Sequence, residues 1–156
     1  MRVHVLAVGR LRAGPEKILI DDYLTRFDRT GRALGLGPAR VVEVEDRRGG
    51  GMAAEAALLR KAMPGGAMLA VLDERGRQMG SPDFARTMAR WRDDGCRDLC
   101  LAIGGADGID PGLRAGADLA LSFGKMVWPH MLVRVMLAEQ LYRAATILAG
   151  GPYHRT

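Results

Sequence analysis

Short apolar runs alternate with amphipathic stretches from one end of the chain to the other. The apolar runs have the length and the aliphatic, often β-branched composition of buried strands, and they lie at 3–8, 40–44, 67–72, 99–103 and 119–123. Strands that alternate with helices form a mostly parallel sheet, because parallel neighbours need a long crossover connection. We therefore expect an α/β fold with a mostly parallel sheet and helices on both faces.

The stretches between the apolar runs predict the covering helices. Apolar residues recur there at helical spacing, with charged residues between them. The predicted helices lie over 16–29, 53–63 and 81–91, in a short stretch from 110–111, and over about 130–149. No repeat or interdomain linker interrupts the pattern, so residues 1–156 are expected to form one domain.

The composition argues against several classes of protein. No apolar run approaches the roughly 18 residues of a membrane helix, so a soluble, cytoplasmic protein without a membrane partner is expected. Cys96 and Cys100 have no second pair and there are three histidines, so neither a disulfide framework nor a metal site is indicated. The net charge of +5 is compatible with a polyanionic partner such as RNA, and equally with an ordinary basic surface.

Three loops follow the third, fourth and fifth predicted strands. Loops at the carboxyl ends of parallel strands gather at one edge of a sheet, so these three are expected to share a pocket. The middle loop begins at Gly104 with the sequence GGADG, and taken alone it is equally compatible with a plain strand-to-helix turn. It lacks the features of a Walker loop or a dinucleotide fingerprint, and no G-x-S-x-G elbow occurs in the chain.

The remaining polar candidates are Glu139, Arg143, His130, His154 and Arg155. Glu139 and Arg143 are four residues apart on a predicted helix, where a simple surface ion pair explains them equally well. His130 follows Pro129, in a position that suits a helix cap. The tail with His154 and Arg155 is compatible with a frayed terminus. These residues alone lead no further than an α/β ligand-binding protein.

Five segments are more informative when they are considered together. They are LAVGRL at 6–11, LDERG at 72–76, LAIGGADG at 101–108, LSFGKMVWPHMLVRVMLAEQLYRA at 121–144 and PYHR at 152–155. In this order and spacing they resemble the large-subunit rRNA pseudouridine N3-methyltransferase family of the SPOUT superfamily, over the whole chain. LDERG alone is a weak signal, whereas the last two segments are highly specific. The sequence departs from the family at Gly124, where a serine is common.

The resemblance implies an α/β domain whose C-terminal part is threaded into a trefoil knot, and a homodimer. It also implies S-adenosylmethionine as cofactor, with no metal. The positions that match the family's cofactor site are Leu72, Gly104, Phe123, Gly124, Lys125, Met126, Val127 and Trp128. These residues belong to the three loops that strand order had already singled out.

The implied reaction is methylation of N3 of a pseudouridine in 23S rRNA within the assembled 70S ribosome. In the family, the tail reaches the active site of the partner subunit, which implies a role for Tyr153, His154 and Arg155. We expect His154 or Glu139 to assist loss of the N3 proton, and Arg155 and Arg143 to bind RNA phosphate or the developing anion. Methylation of another rRNA or tRNA position or of ribose, and a non-catalytic ribosome-binding module, are the alternatives.

Overall fold

The computed structural model describes residues 1–155, and Thr156, the last residue of the expected domain, lies outside the described residues. The strands are β1 (Arg2–Val8), β2 (Ala39–Val44), β3 (Met68–Gln78), β4 (Asp98–Ile103) and β5 (Leu119–Ser122). The helices are α1 (Pro15–Gly31), α2 (Gly51–Ala62), α3 (Ser81–Asp93), α4 (Pro111–Ala115) and α5 (His130–Leu148), with a 3-10 turn at Arg32–Leu34. The predicted elements are confirmed, with bounds that differ by a few residues except in β3.

The strands form one parallel sheet in the order β2-β1-β4-β3-β5. Consecutive strands are therefore not always neighbours, and β4 lies between β1 and β3. Because the strands are parallel, the loops after β4, β3 and β5 leave the sheet at one edge. The predicted mostly parallel sheet is confirmed, whereas the trefoil knot that the resemblance implies stays a prediction.

Two apolar cores cover the two faces of the sheet. On one face α1, α3 and α5 pack on β1, β3 and β4 through residues such as Phe27, Met88 and Leu141. On the other face α2 and α4 supply Leu59 and Leu113. Helices on both faces are therefore confirmed. Within residues 1–155 no helix is long and apolar enough to cross a membrane, and no cluster of three metal-binding side chains occurs.

Strand β3 is longer than the sequence indicates. A loop was expected directly after Leu72, but the strand continues through Gln78 and pairs again with β5 at Arg77 and Gln78, after a register shift. This expectation was wrong because the extension is polar and largely exposed, with none of the apolar character that marks a buried strand. The backbone of β5 pairs with the extension, and the side chains of the extension do not indicate this pairing.

A buried polar network lies near the amino ends of β1 and β4. His4 Nε2 and Asp98 Oδ1 are 2.7 Å apart, and Arg2 binds both Asp98 oxygens at 2.7 Å. Arg40 Nε donates to His4 Nδ1 at 3.0 Å, which leaves the ring proton on Nε2 to be donated to Asp98. The hydrogen bonds from Arg2 and then His4 hold the pKa of Asp98 below its ordinary value.

We expect Asp98→Asn to lower the free energy of unfolding at neutral pH by about 1–3 kcal/mol, the contribution of hydrogen bonds to a charged group. Because the pKa of Asp98 is lowered by folding, this contribution is present above the unfolded pKa, near 3.9, and is lost as the pH falls through the folded pKa. Urea unfolding from pH 7 to pH 3 should therefore show the difference between the two proteins shrinking. An equal difference at every pH would contradict this origin.

Candidate functional site

The middle of β3, in place of the expected loop, and the loops after β4 and β5 surround one cavity of about 210 Å³. All of the predicted cofactor residues except Lys125 line it, namely Leu72, Gly104, Phe123, Gly124, Met126, Val127 and Trp128. The sequence-based set did not include other lining residues, such as Asp73, Ile103 and His130. Apolar walls with a few polar groups are typical of small-molecule sites.

The glycine turn after β4 has no room for a side chain at its first position. A Cβ on Gly104 would lie 2.3 Å from the carbonyl oxygen of Gly108 and 2.6 Å from its carbonyl carbon. Both atoms belong to the backbone, so they cannot be displaced by a simple change of rotamer. Glycine at this position therefore lets the turn close on itself.

Two other glycines present open backbone to the cavity. Gly108 and Gly124 have φ angles of +86° and +124°, and nothing lies within 4 Å of the position of a Cβ on either residue. Residues with a side chain rarely adopt these φ angles. A ligand can therefore approach the backbone amides and carbonyls of both turns closely.

The loop from β5 to α5 forms the exposed wall of the cavity. Met126 and Val127 are 72% and 82% exposed, and Trp128 is 40% exposed. Lys125 is also exposed but does not line the cavity. Large exposed apolar side chains beside a concave site are more typical of a surface that is covered by a ligand or a partner than of a free one.

A buried carboxylate lies at the edge of the cavity. The side chain of Asp73 is 3% exposed, accepts hydrogen bonds from Arg75 Nε and Nη2 at 3.1 Å, and lies 3.6 Å from Arg114. Burial raises the pKa of Asp73, but the hydrogen bonds from Arg75 and the charges of Arg75 and Arg114 lower it overall. The carboxylate is therefore charged at neutral pH and is compensated by two guanidinium groups.

His130 does not cap α5, contrary to one sequence-based interpretation. It is the first residue of the helix, which begins without a side-chain cap, and it lines the cavity. Its Nδ1 is buried and has no hydrogen-bond partner among residues 1–155. Buried polar atoms without partners are rare in native proteins. This atom is therefore available to a ligand in the cavity.

Arg134 connects α5 to the carboxyl ends of β1 and β2. Its side chain is 1% exposed and donates from Nη2 to the carbonyl oxygens of Val8 and Gly9, at 2.8 and 2.9 Å. Its Nη1 lies 2.9 Å from the carboxylate of Glu43, which also accepts the backbone N–H of Leu11. The first turns of α5, which carry His130, are thereby fixed to the sheet.

We expect Arg134→Met to lower the free energy of unfolding by about 3 kcal/mol, since removing one partner of a buried ion pair leaves the other uncompensated. Urea denaturation measures the loss. Arg134→Met combined with Glu43→Gln should cost less than the sum of the two single changes, because they share one interaction. Strictly additive losses would show that the two side chains do not stabilise each other.

The predicted tail residues do not line the cavity. Instead, Tyr153 folds back on α5, where its hydroxyl donates to Glu139 at 3.0 Å and its ring lies 4.8 Å from the guanidinium of Arg143. Arg143 donates to Glu139 at 2.6 Å and approaches His154 Nδ1 at 3.4 Å, while Arg155 is exposed. Burial and then the bond to Glu139 raise the pKa of the Tyr153 phenol.

This tail cluster (Glu139, Arg143, Tyr153 and His154) does not line the cavity. His130, which lines the cavity, is 13 residues before Arg143 on α5, so their backbones are about 20 Å apart at 1.5 Å per residue. Glu139 lines a second cavity of about 580 Å³, which adjoins Phe123 and Leu19. The structure therefore brings the predicted cofactor residues and the predicted catalytic residues together as two separate groups.

Comparisons with known proteins agree with this architecture. A family model described as "Predicted SPOUT methyltransferase" matches residues 1–154. The Ribosomal RNA large subunit methyltransferase H of Ruegeria pomeroyi is 79% identical over 155 residues, and that of Roseobacter denitrificans is 78% identical over 155 residues. In both cases the match covers 99% of this chain and 99% of the relative.

A solved structure supports the fold. The structure of a probable methylase family protein from Haemophilus influenzae superimposes with a TM-score of 0.51 at 10% identity, covering 99% of this chain and 70% of that one. At this identity the likeness concerns the fold alone. The full-length family match and the high identity of the relatives settle the assignment, and the chain belongs to the SPOUT methyltransferase family.

Proposed function

We propose that this protein transfers a methyl group from S-adenosylmethionine to N3 of a pseudouridine in 23S rRNA, within the assembled 70S ribosome in the cytoplasm. Residues 1–156 act as one methyltransferase domain. Relatives 78–79% identical over nearly the whole chain, both named as ribosomal RNA large subunit methyltransferases, support an rRNA substrate. The observation that carries the proposal is the cavity formed by the middle of β3 and the loops after β4 and β5, at the matching family positions.

The cavity fits the chemistry of the cofactor. Leu72, Phe123 and Trp128 supply apolar walls for an adenine ring, and the open backbone at Gly108 and Gly124 supplies hydrogen-bonding groups. When bound, S-adenosylmethionine supplies an electrophilic methyl group for in-line transfer.

A homodimer reconciles the two separate groups of site residues. Because the tail residues do not line the cavity of their own chain, and Arg143 is about 20 Å along α5 from His130, the tail cluster acts at the cavity of a partner subunit. Exposed apolar residues on the packed pair α1 and α5 offer a surface for that partner: Ile18, Leu19, Met131 and Leu132. A two-fold dimer would then contain two composite sites.

The residues of the tail cluster have different roles in the reaction. Glu139 accepts hydrogen bonds from Arg143, Tyr153 and Gln140, so its lone pairs are largely occupied and it orients the cluster. Among residues 1–155, the one side-chain contact of His154 is a long approach to Arg143 at 3.4 Å, which is easily broken. His154 assists removal of the N3 proton, directly or through water. Arg143 and Arg155 bind RNA phosphate or the developing anion.

A methyl-transfer assay on 70S ribosomes that lack the modification tests the proposal, with free 23S rRNA alongside. Radioactive methyl groups should appear on N3 of a single pseudouridine, as mapped by mass spectrometry of nucleosides. A methyl group at another base or on ribose would identify a different target. Binding of S-adenosylmethionine without transfer to any RNA would favour a ribosome-binding module.

A further inference from the structure

Four exposed arginines lie on two loops at the same edge of the sheet as the cavity, at the end of that edge away from β5. Arg10 and Arg12 follow β1, and Arg47 and Arg48 follow β2. The two strands pair in register up to Val8 and Val44, and Gly9 N donates to the carbonyl oxygen of Val44 at 2.8 Å. The loops therefore leave the sheet side by side, about 5 Å apart at their start. We call these four residues the arginine edge.

The acidic residues near these loops neutralise the arginine edge only in part. Glu43 is occupied by the buried Arg134, and Asp46 accepts backbone N–H groups of its own loop, from Arg48 and Gly50. Glu45 approaches Arg47 at 3.6 Å, but Arg47 is 79% exposed, and such surface pairs contribute little. Four arginines against the two carboxylates of Glu45 and Asp46 therefore leave a net charge of +2 on these loops.

The arginine edge is continuous with the cavity. In the sheet β4 lies beside β1, so the glycine turn after β4 is next to the loop of Arg10 and Arg12. A Cβ on Gly105 would lie 3.2 Å from a methyl group of Val8, the last residue of β1. It would also lie 2.8 Å from the carboxylate of Glu55, on the helix that follows Arg47 and Arg48.

We propose that the arginine edge binds phosphates of the RNA strand that flanks the target nucleotide, and so places that nucleotide over the cavity. This inference rests on the proposed function. Guanidinium groups bind phosphate oxygens with two parallel hydrogen bonds, and such contacts position a strand without reading its sequence. Arg134 supports the arrangement, because it fixes the start of the Arg10 loop, at Val8 and Gly9, to α5.

The test compares two double variants. One combines Arg47→Gln with Arg48→Gln, and the control combines Arg86→Gln with Arg90→Gln. Both remove two positive charges, but Arg86 and Arg90 are exposed on α3, away from the loops of β1 and β2. Binding to unmodified 70S ribosomes and to a protein-free 23S rRNA fragment is measured over a range of salt concentrations. S-adenosylmethionine affinity and methyl transfer are measured in parallel.

The Arg47 and Arg48 variant should bind ribosomes and RNA about tenfold or more weakly, with a salt slope reduced by about one for each arginine. Its kcat at saturating ribosome and its affinity for S-adenosylmethionine should not change. Equal losses in the control variant would overturn the inference, as would normal binding. A loss on ribosomes but not on protein-free RNA would assign the edge to a ribosomal protein, and a loss of dimer in light scattering would assign it to a second subunit.

These measurements separate the inference from the proposed function. If the unaltered protein binds ribosomes but transfers no methyl group to pseudouridine, the proposed reaction fails. The binding comparison between the two double variants still decides whether the arginine edge contacts RNA phosphate.

Discussion

Replacing Gly104 with valine is expected to weaken S-adenosylmethionine binding by about 100-fold or more, roughly 2.8 kcal/mol. A Cβ at this position would lie 2.3 Å from the carbonyl oxygen of Gly108, so the turn must open to accept any side chain. Overpacking of a closed site typically costs about 1–3 kcal/mol, and here the displaced atoms belong to the turn that lines the cavity. Isothermal titration calorimetry with the purified protein measures the loss.

Gly65→Val is the matched control. Gly65 lies in the turn before β3, at the opposite edge of the sheet, and nothing lies within 4 Å of the position of its Cβ. The Gly65→Val variant should bind S-adenosylmethionine as the unaltered protein does. If Gly104→Val also bound normally, the glycine turn would serve only the fold and the cavity would not be the cofactor site.

The sequence predicts the helices and strands of this fold better than it predicts which strands lie next to each other in the sheet. Apolar runs such as Leu99 to Ile103 are recognisable because a strand covered on both faces needs apolar side chains throughout. The extension of β3 to Gln78 was missed because its pairing depends on β5, more than 40 residues away along the chain, and not on its own polar side chains. Strand order is a property of such distant pairings.

The same distinction applies to the site. Parallel strands bring the segments after Leu72, Ile103 and Ser122 to one edge of the sheet, so the sequence predicts the cavity, although the first of these segments is strand and not loop. The contacts of Arg134 join residues that are 91 to 126 positions apart, and no local pattern signals them. The buried Nδ1 of His130, which has no hydrogen-bond partner among the described residues, likewise depends on the tertiary structure and is not indicated by a local pattern.

His154→Ala is expected to lower kcat by about 100-fold or more, the usual contribution of a positioned general acid or base. Affinity for S-adenosylmethionine should remain nearly intact, because His154 does not line the cavity of its own subunit. The free energy of unfolding should change little, since the only side-chain contact described for His154 is the 3.4 Å approach to Arg143. Single-turnover methyl transfer on ribosomes measures the rate. Unchanged turnover would remove this residue from the mechanism.

Mixing His154→Ala with Gly104→Val then tests whether the tail acts in the partner subunit. A mixed dimer pairs one intact cavity with the intact tail of the other subunit if the sites are shared, and no complete site if each subunit acts alone. Random mixing gives mixed dimers in about half of the population, each with one of two sites intact, so about a quarter of the normal rate should return. Because His154 does not line the cavity of its own chain, and its contact residue Arg143 is about 20 Å along α5 from His130, recovery is the expected result. A mixture as inactive as its components would place tail and cofactor in the same subunit and would require the tail to leave Glu139.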